Sequence, residues 1–144
     1  MKNSVLGPFF SRVMDRKPPI TAELVEQFVS QAHVDLEQVK TLLAQEPNLL
    51  HAAHDWGGGD WETALGAAAH VGRHDIAQYL LEQGARIDLF AAAMLGKLEI
   101  VQAMLSDNPA LVNAKGPHGI PLLRHAEVGG DAAVEVLAFL HSLV

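Results

Sequence analysis

The chain contains no cysteine. That excludes disulfides, thiolate nucleophiles and cysteine-ligated zinc, and it accords with a reducing compartment. Basic residues are also scarce, with 10 Lys and Arg against 17 Asp and Glu and a net charge of -7. Four of the basic groups (Lys2, Arg12, Arg16, Lys17) fall before Pro18, so the rest of the chain is more acidic still. Without clustered cations no phosphate backbone is held, and no nucleic-acid partner is expected. Long apolar runs are missing too. The first, VLGPFF, is broken by Gly7 and Pro8 and is too short for the core of a signal peptide, and nothing approaches the length of a membrane span. A cytoplasmic location without stable membrane association is therefore expected. Catalytic signatures are absent as well: there is no G-x-S-x-G elbow, no phosphate-binding loop and no H-E-x-x-H. No enzyme and no cofactor are expected, with a hydrolase-like activity as the alternative.

What remains is 144 residues, 49% of them hydrophobic, enough for one domain with a real core. Self-similarity organises most of it. ETALGAAAHVGRHDIAQYLLEQGARID (Glu62 to Asp88) and DLFAAAMLGKLEIVQAMLSDNPALVN (Asp88 to Asn113) share small residues, a glycine and an apolar helical run in the same order. IPLLRHAEVGGDAAVEVLAFL repeats the pattern downstream, and VDLEQVKTLL repeats its second half upstream. The alanines at 67–69 and 91–93 suit closely approaching helices. Gly72, Gly96 and Gly129 suit chain reversals with left-handed backbone. Ile76, Leu80 and Leu81, like Ile100, Met104 and Leu105, recur at helical spacing.

The stretch Thr63-Ala64-Leu65-Gly66-Ala67-Ala68, with Gly72, Leu80-Leu81 and Gly84-Ala85-Arg86-Ile87-Asp88, resembles the ankyrin-repeat family, in particular its small stand-alone, bacterial-type members. The likeness runs over roughly residues 21 to 142. It implies an all-α solenoid of about four helix-turn-helix repeats, near residues 21–51, 62–86, 87–113 and 119–144. Residues 21–144 form that domain, and 1–20 form an arm or capping helix, with Phe9, Phe10, Val13 and Met14 on one side of an amphipathic segment. An arm that binds a partner or a membrane surface is the alternative to a cap. Repeat spacing departs from regularity. Val34 to Gly72 spans 38 residues, Gly72 to Gly96 spans 24, and Gly96 to Gly129 spans 33. One finger loop is thus enlarged and the next is missing.

The enlarged finger carries DWGGGDW, both tryptophans of the chain around three glycines. The resemblance implies a non-catalytic module that binds an unidentified protein partner through its concave face and finger loops. Asp55, Trp56, Asp60, Trp61 and His118 are the candidate partner-binding residues. The indoles either stand exposed as binding anchors or fold down to fill the gap of the missing finger. His118, in NAKGPHGIP, sits in a rigid tip that reaches the first finger only if the solenoid curves enough. The alternative function is small-molecule or metal binding, with or without catalysis, by the His, Asp and Glu groups of residues 51–62. No metal site is expected, and His51, His54 and Asp55 form the best local cluster. His74 and His125 read as structural, while His33 and His141 carry no specific signal. The last helix, AAVEVLAFLHSLV, is nearly uncharged, which suggests a homodimer through the C-terminal helix or a cover from the arm.

Overall fold

The computed structural model describes residues 16–144, so the proposed amphipathic arm lies almost wholly outside the described residues. Four helix pairs follow one another: α1 (Ala22–Gln31) with α2 (Leu36–Gln45), α3 (Ala64–His70) with α4 (His74–Glu82), α5 (Leu89–Met94) with α6 (Leu98–Asp107), and α7 (Leu122–Val128) with α8 (Val134–Ser142). Short polar residues start the helices. Thr21, Asp35, Thr63 and Asp88 each accept a backbone N–H three residues on, which satisfies a donor that the first turn leaves unpaired.

Burial follows from the side chains each helix carries. The inner helices α3 and α5 bury Ala67–Ala69 and Ala91–Ala93 completely, and the absence of bulk lets neighbouring helices approach. The outer helices supply the larger apolar groups: Leu42 and Leu43 on α2, Ile76 and Leu80 on α4, Val101 and Leu105 on α6, Val136 and Leu140 on α8. Phe28 on α1, fully buried, anchors the first pair.

At the second and third reversals Gly72 and Gly96 have φ of 74° and 76°. They also lie where pairs touch. A methyl on Gly72 would sit 2.6 Å from the Val128 carbonyl oxygen, and one on Gly96 would overlap that of Ala132. Gly129 corrects the sequence reading: its φ is -68°, and Gly130 carries the left-handed φ of 65°. Gly129 is needed for a different reason, since a methyl there would meet the Met94 carbonyl. The first reversal, at His33 and Val34, contains no glycine and takes no positive φ.

The finger between the first and second pairs is a hairpin, β1 (Ala53–Asp55) paired antiparallel with β2 (Trp61–Thr63). Between the second and third pairs the chain passes from Gly84 to Asp88 straight into α5, so this finger is missing, as the spacing predicts. Between the third and fourth, Lys115 bridges Pro121 and the tip turns through Pro117–Gly119. With the middle finger gone, the curvature lets the second and fourth pairs touch at both edges. Asp60 bonds His118 on the finger side, and His74 Nε2 lies 2.9 Å from the Gly129 carbonyl on the other. Among the described residues no helix is long and apolar enough to cross a membrane.

Candidate functional site

The tip of the first finger explains its glycines. Gly57, Gly58 and Gly59 have φ of 141°, 65° and 91°, three consecutive positive values that side-chain-bearing residues rarely adopt. Asp55 Oδ1 accepts the N–H of Gly57 at 2.8 Å and of Gly59 at 2.9 Å, which folds the tip over its own strand. The Trp56 backbone N–H donates to the Asp60 carbonyl at 3.0 Å. The finger is therefore a shaped loop, and the indoles end in different places. Trp61 is 60% exposed; Trp56 is 38% exposed and turns its indole N–H inward.

That indole N–H donates to Glu62 Oε1 at 2.8 Å. Glu62 follows Trp61 on β2, so strand alternation sends its side chain to the opposite face, inward, where it is 1% exposed. Three imidazoles surround it. His70, the last residue of α3, has Nε2 2.9 Å from Oε2. His33, in the reversal after α1, has Nε2 3.4 Å from Oε1, and His118 from the distant finger brings its Nε2 to the same distance. His33 and His70 also face each other, Nε2 to Nε2, at 3.1 Å. Burial alone would push the Glu62 carboxyl up, yet the imidazoles of His33 and His70 and the Trp56 N–H outweigh it. They hold the carboxyl well below the usual range. Glu62 in turn raises the His33 pKa against the opposing effect of burial.

His118 is held in an unusual conformation. Its φ of 62° is the only positive value on a non-glycine residue among the described residues. Asp60 offsets that strain twice, Oδ1 accepting the His118 backbone N–H at 2.8 Å and Oδ2 meeting ring Nδ1 at 2.7 Å. The same contacts, the backbone N–H first, lower the Asp60 pKa.

The remaining sequence candidates are placed elsewhere. His51, His54 and Asp55, the best local cluster of ligand types in the sequence, are turned to different tasks. His51 is exposed, Asp55 is spent on the loop, and His54 packs edge-on against Trp56 with its Nε2 3.8 Å from Glu26. His51 ends the turn before β1, and alternation along β1 sends His54 and Asp55 to opposite faces. His74 Nε2 lies against the Gly129 carbonyl, and His125 is fully buried with Nδ1 2.9 Å from the Pro121 carbonyl. His33 and His70 are the residues that sequence reasoning missed. The one signal for them was the dipeptide His-Val at 33–34 and again at 70–71, each at the end of an inner helix. The longer first reversal displaces one from the other in any alignment anchored on the outer helices.

The missing middle finger leaves a groove of about 390 Å³ between the two that remain, with Trp61 and Asp60 on one wall, Lys115 and Pro117 on the other, and Asp88 and Phe90 in its floor. Compared with known proteins, the chain matches the family model described as ankyrin repeats (3 copies) over residues 27–116. A comparison with curated proteins returned no match.

Proposed function

The chain belongs to the ankyrin-repeat family, whose members are general protein-protein interaction modules, and from that premise we propose that it grips a segment of a partner polypeptide in the groove between its two fingers. The observation that carries this reading is Trp61. A large amphipathic ring, more than half exposed, stands on one wall of the groove beside a floor that carries Phe90, the arrangement that concentrates binding energy in a few aromatic contacts. Asp55 and Asp60 shape the fingers from within, and Trp56 and His118 brace them, so Trp61 makes the contact and the other four candidates position it. The groove replaces a finger that would otherwise fill it, which supports its being a surface for an added strand or loop.

The test is retention of cellular proteins on the immobilised chain, with Trp61→Ala and Val34→Ala compared against wild type. Val34 is equally exposed but lies at a helix reversal. Proteins held by wild type and by Val34→Ala, and lost with Trp61→Ala, are expected. Equal retention by Trp61→Ala refutes the groove as the binding surface.

A further inference from the structure

The groups around Glu62 do more than brace a finger. His33, Glu62, His70 and His118 each offer one ligand atom, and the four atoms lie within 4.8 Å of one another. Hydrogen-bonding partners fix how two of the rings present themselves. His33 Nδ1 lies 3.0 Å from the Val29 carbonyl and 3.2 Å from that of Ser30. Carbonyls only accept, so this nitrogen bears the hydrogen. His118 Nδ1 faces the Asp60 carboxylate and bears its hydrogen for the same reason. In their neutral forms both rings therefore turn a bare Nε2 lone pair inward. Both lone pairs lie 3.4 Å from Glu62 Oε1, an acceptor already taken by the Trp56 N–H, and that of His33 also faces His70 Nε2 at 3.1 Å.

Electron pairs facing a carboxylate repel unless a cation lies among them. Meanwhile Glu62 Oε2, fully buried, has no hydrogen-bond partner although His70 Nε2 is 2.9 Å away. Close atoms without hydrogen-bond geometry are what ligands of one ion produce, since each aims at the ion and not at its neighbour. Bonds of about 2.0–2.1 Å in a zinc tetrahedron place ligands about 3.3 Å apart; here the imidazole nitrogens lie 2.9 Å from Glu62 Oε2 and 3.4 Å, twice, from Oε1, with 3.1 Å between His33 and His70 and no pair of ligand atoms beyond 4.8 Å. Protons alone would satisfy the same atoms only by charging both His33 and His118, which flank the His70 ring at 5.0 and 5.2 Å.

We propose that His33, Glu62, His70 and His118 bind one divalent transition-metal ion of the zinc class, in a closed four-ligand site that ties the first, second and fourth helix pairs together. Three imidazoles and a carboxylate without sulfur select zinc and its neighbours over magnesium or calcium, which favour all-oxygen shells. Asp60 and the Val29 and Ser30 carbonyls are the outer partners that orient metal-bound histidines. The strained backbone of His118 is the conformation that carries its ring from one finger to the other.

The full chain, stripped by a chelator, is titrated with Zn2+ by calorimetry and with Co2+ by visible absorption. One equivalent of each is expected, with the intense absorption of tetrahedral cobalt, and Zn2+ raises the melting temperature. His118→Gln weakens Zn2+ binding by about 100-fold or more, while His54→Ala and His51→Ala leave it unchanged. Asp60→Asn, which alters the partner that sets the His118 tautomer, weakens it by about 10- to 100-fold. His118 lies on a half-exposed tip, so its variant tests the site even where Glu62→Gln does not fold. No binding of either ion by the stripped wild type, or binding that survives His118→Gln at full affinity in a chain with a native circular dichroism spectrum, overturns the proposal.

Discussion

Two glycines of nearly equal φ separate the intrinsic cost of a left-handed backbone from the cost of breaking an interface. Gly96 has φ 76° and Gly119 has φ 72°. Alanine at either position incurs about 1–2 kcal/mol for adopting that conformation. A methyl added at Gly119 would meet nothing within 4 Å, so Gly119→Ala costs only this. At Gly96 the methyl overlaps the Ala132 carbonyl, in the reversal of the last helix pair that leads into α8. Main chain cannot swing aside as a side chain can, and forced displacement of packed elements adds about 1–3 kcal/mol. Gly96→Ala is therefore expected to cost about 2–5 kcal/mol in all. Urea unfolding monitored by circular dichroism measures both variants, and at about 4 °C per kcal/mol the melting temperatures separate as well. Equal losses for the two variants would refute the claim that the third reversal bears directly on the fourth pair.

Phe28 is fully buried in the first pair, so Phe28→Ala is expected to destabilise by about 3–5 kcal/mol in urea titration; a loss below about 1 kcal/mol would mean that the α1 face is not core. His125 is buried, which lowers its pKa despite the opposing Pro121 carbonyl. Its folded pKa thus lies below the unfolded value near 6.5, and the unfolded chain takes up the proton first. Stability is then full above about pH 6.5 and falls as pH drops below it. The stability advantage of wild type over His125→Gln should accordingly be larger at pH 7.5 than at pH 5, and a constant or growing advantage on acidification would contradict the assignment.

The solenoid was legible because its demands are local and recur. Alanine runs, reversal glycines and outer-helix leucines each answer a packing need inside one pair, and the spacing of 24 residues between Gly72 and Gly96 disclosed the missing finger. The Glu62 cluster was illegible for the opposite reason. His118 lies 58 residues from Asp60, and their meeting depends on the summed curvature of the connections between them. Glu62 reads as one more carboxylate of an exposed finger, because a three-residue strand is too short to show which face it buries. Even the reversal glycines were only partly assigned. GlyGly at 129–130 offers two places for one left-handed residue, and the contact with Met94 decides between them.

The double contact between the second and fourth pairs changes how the molecule comes apart. In an ordinary repeat array each unit touches only its neighbours, so ends fray and stability behaves as a one-dimensional chain of nearest-neighbour couplings. Here Asp60 with His118 and His74 with Gly129 reach past the third pair from both edges. The third pair cannot open without parting its neighbours from each other. Amide hydrogens of α5 should consequently exchange only through global unfolding, at the same free energy as the most protected core, and the last three pairs should melt as one unit.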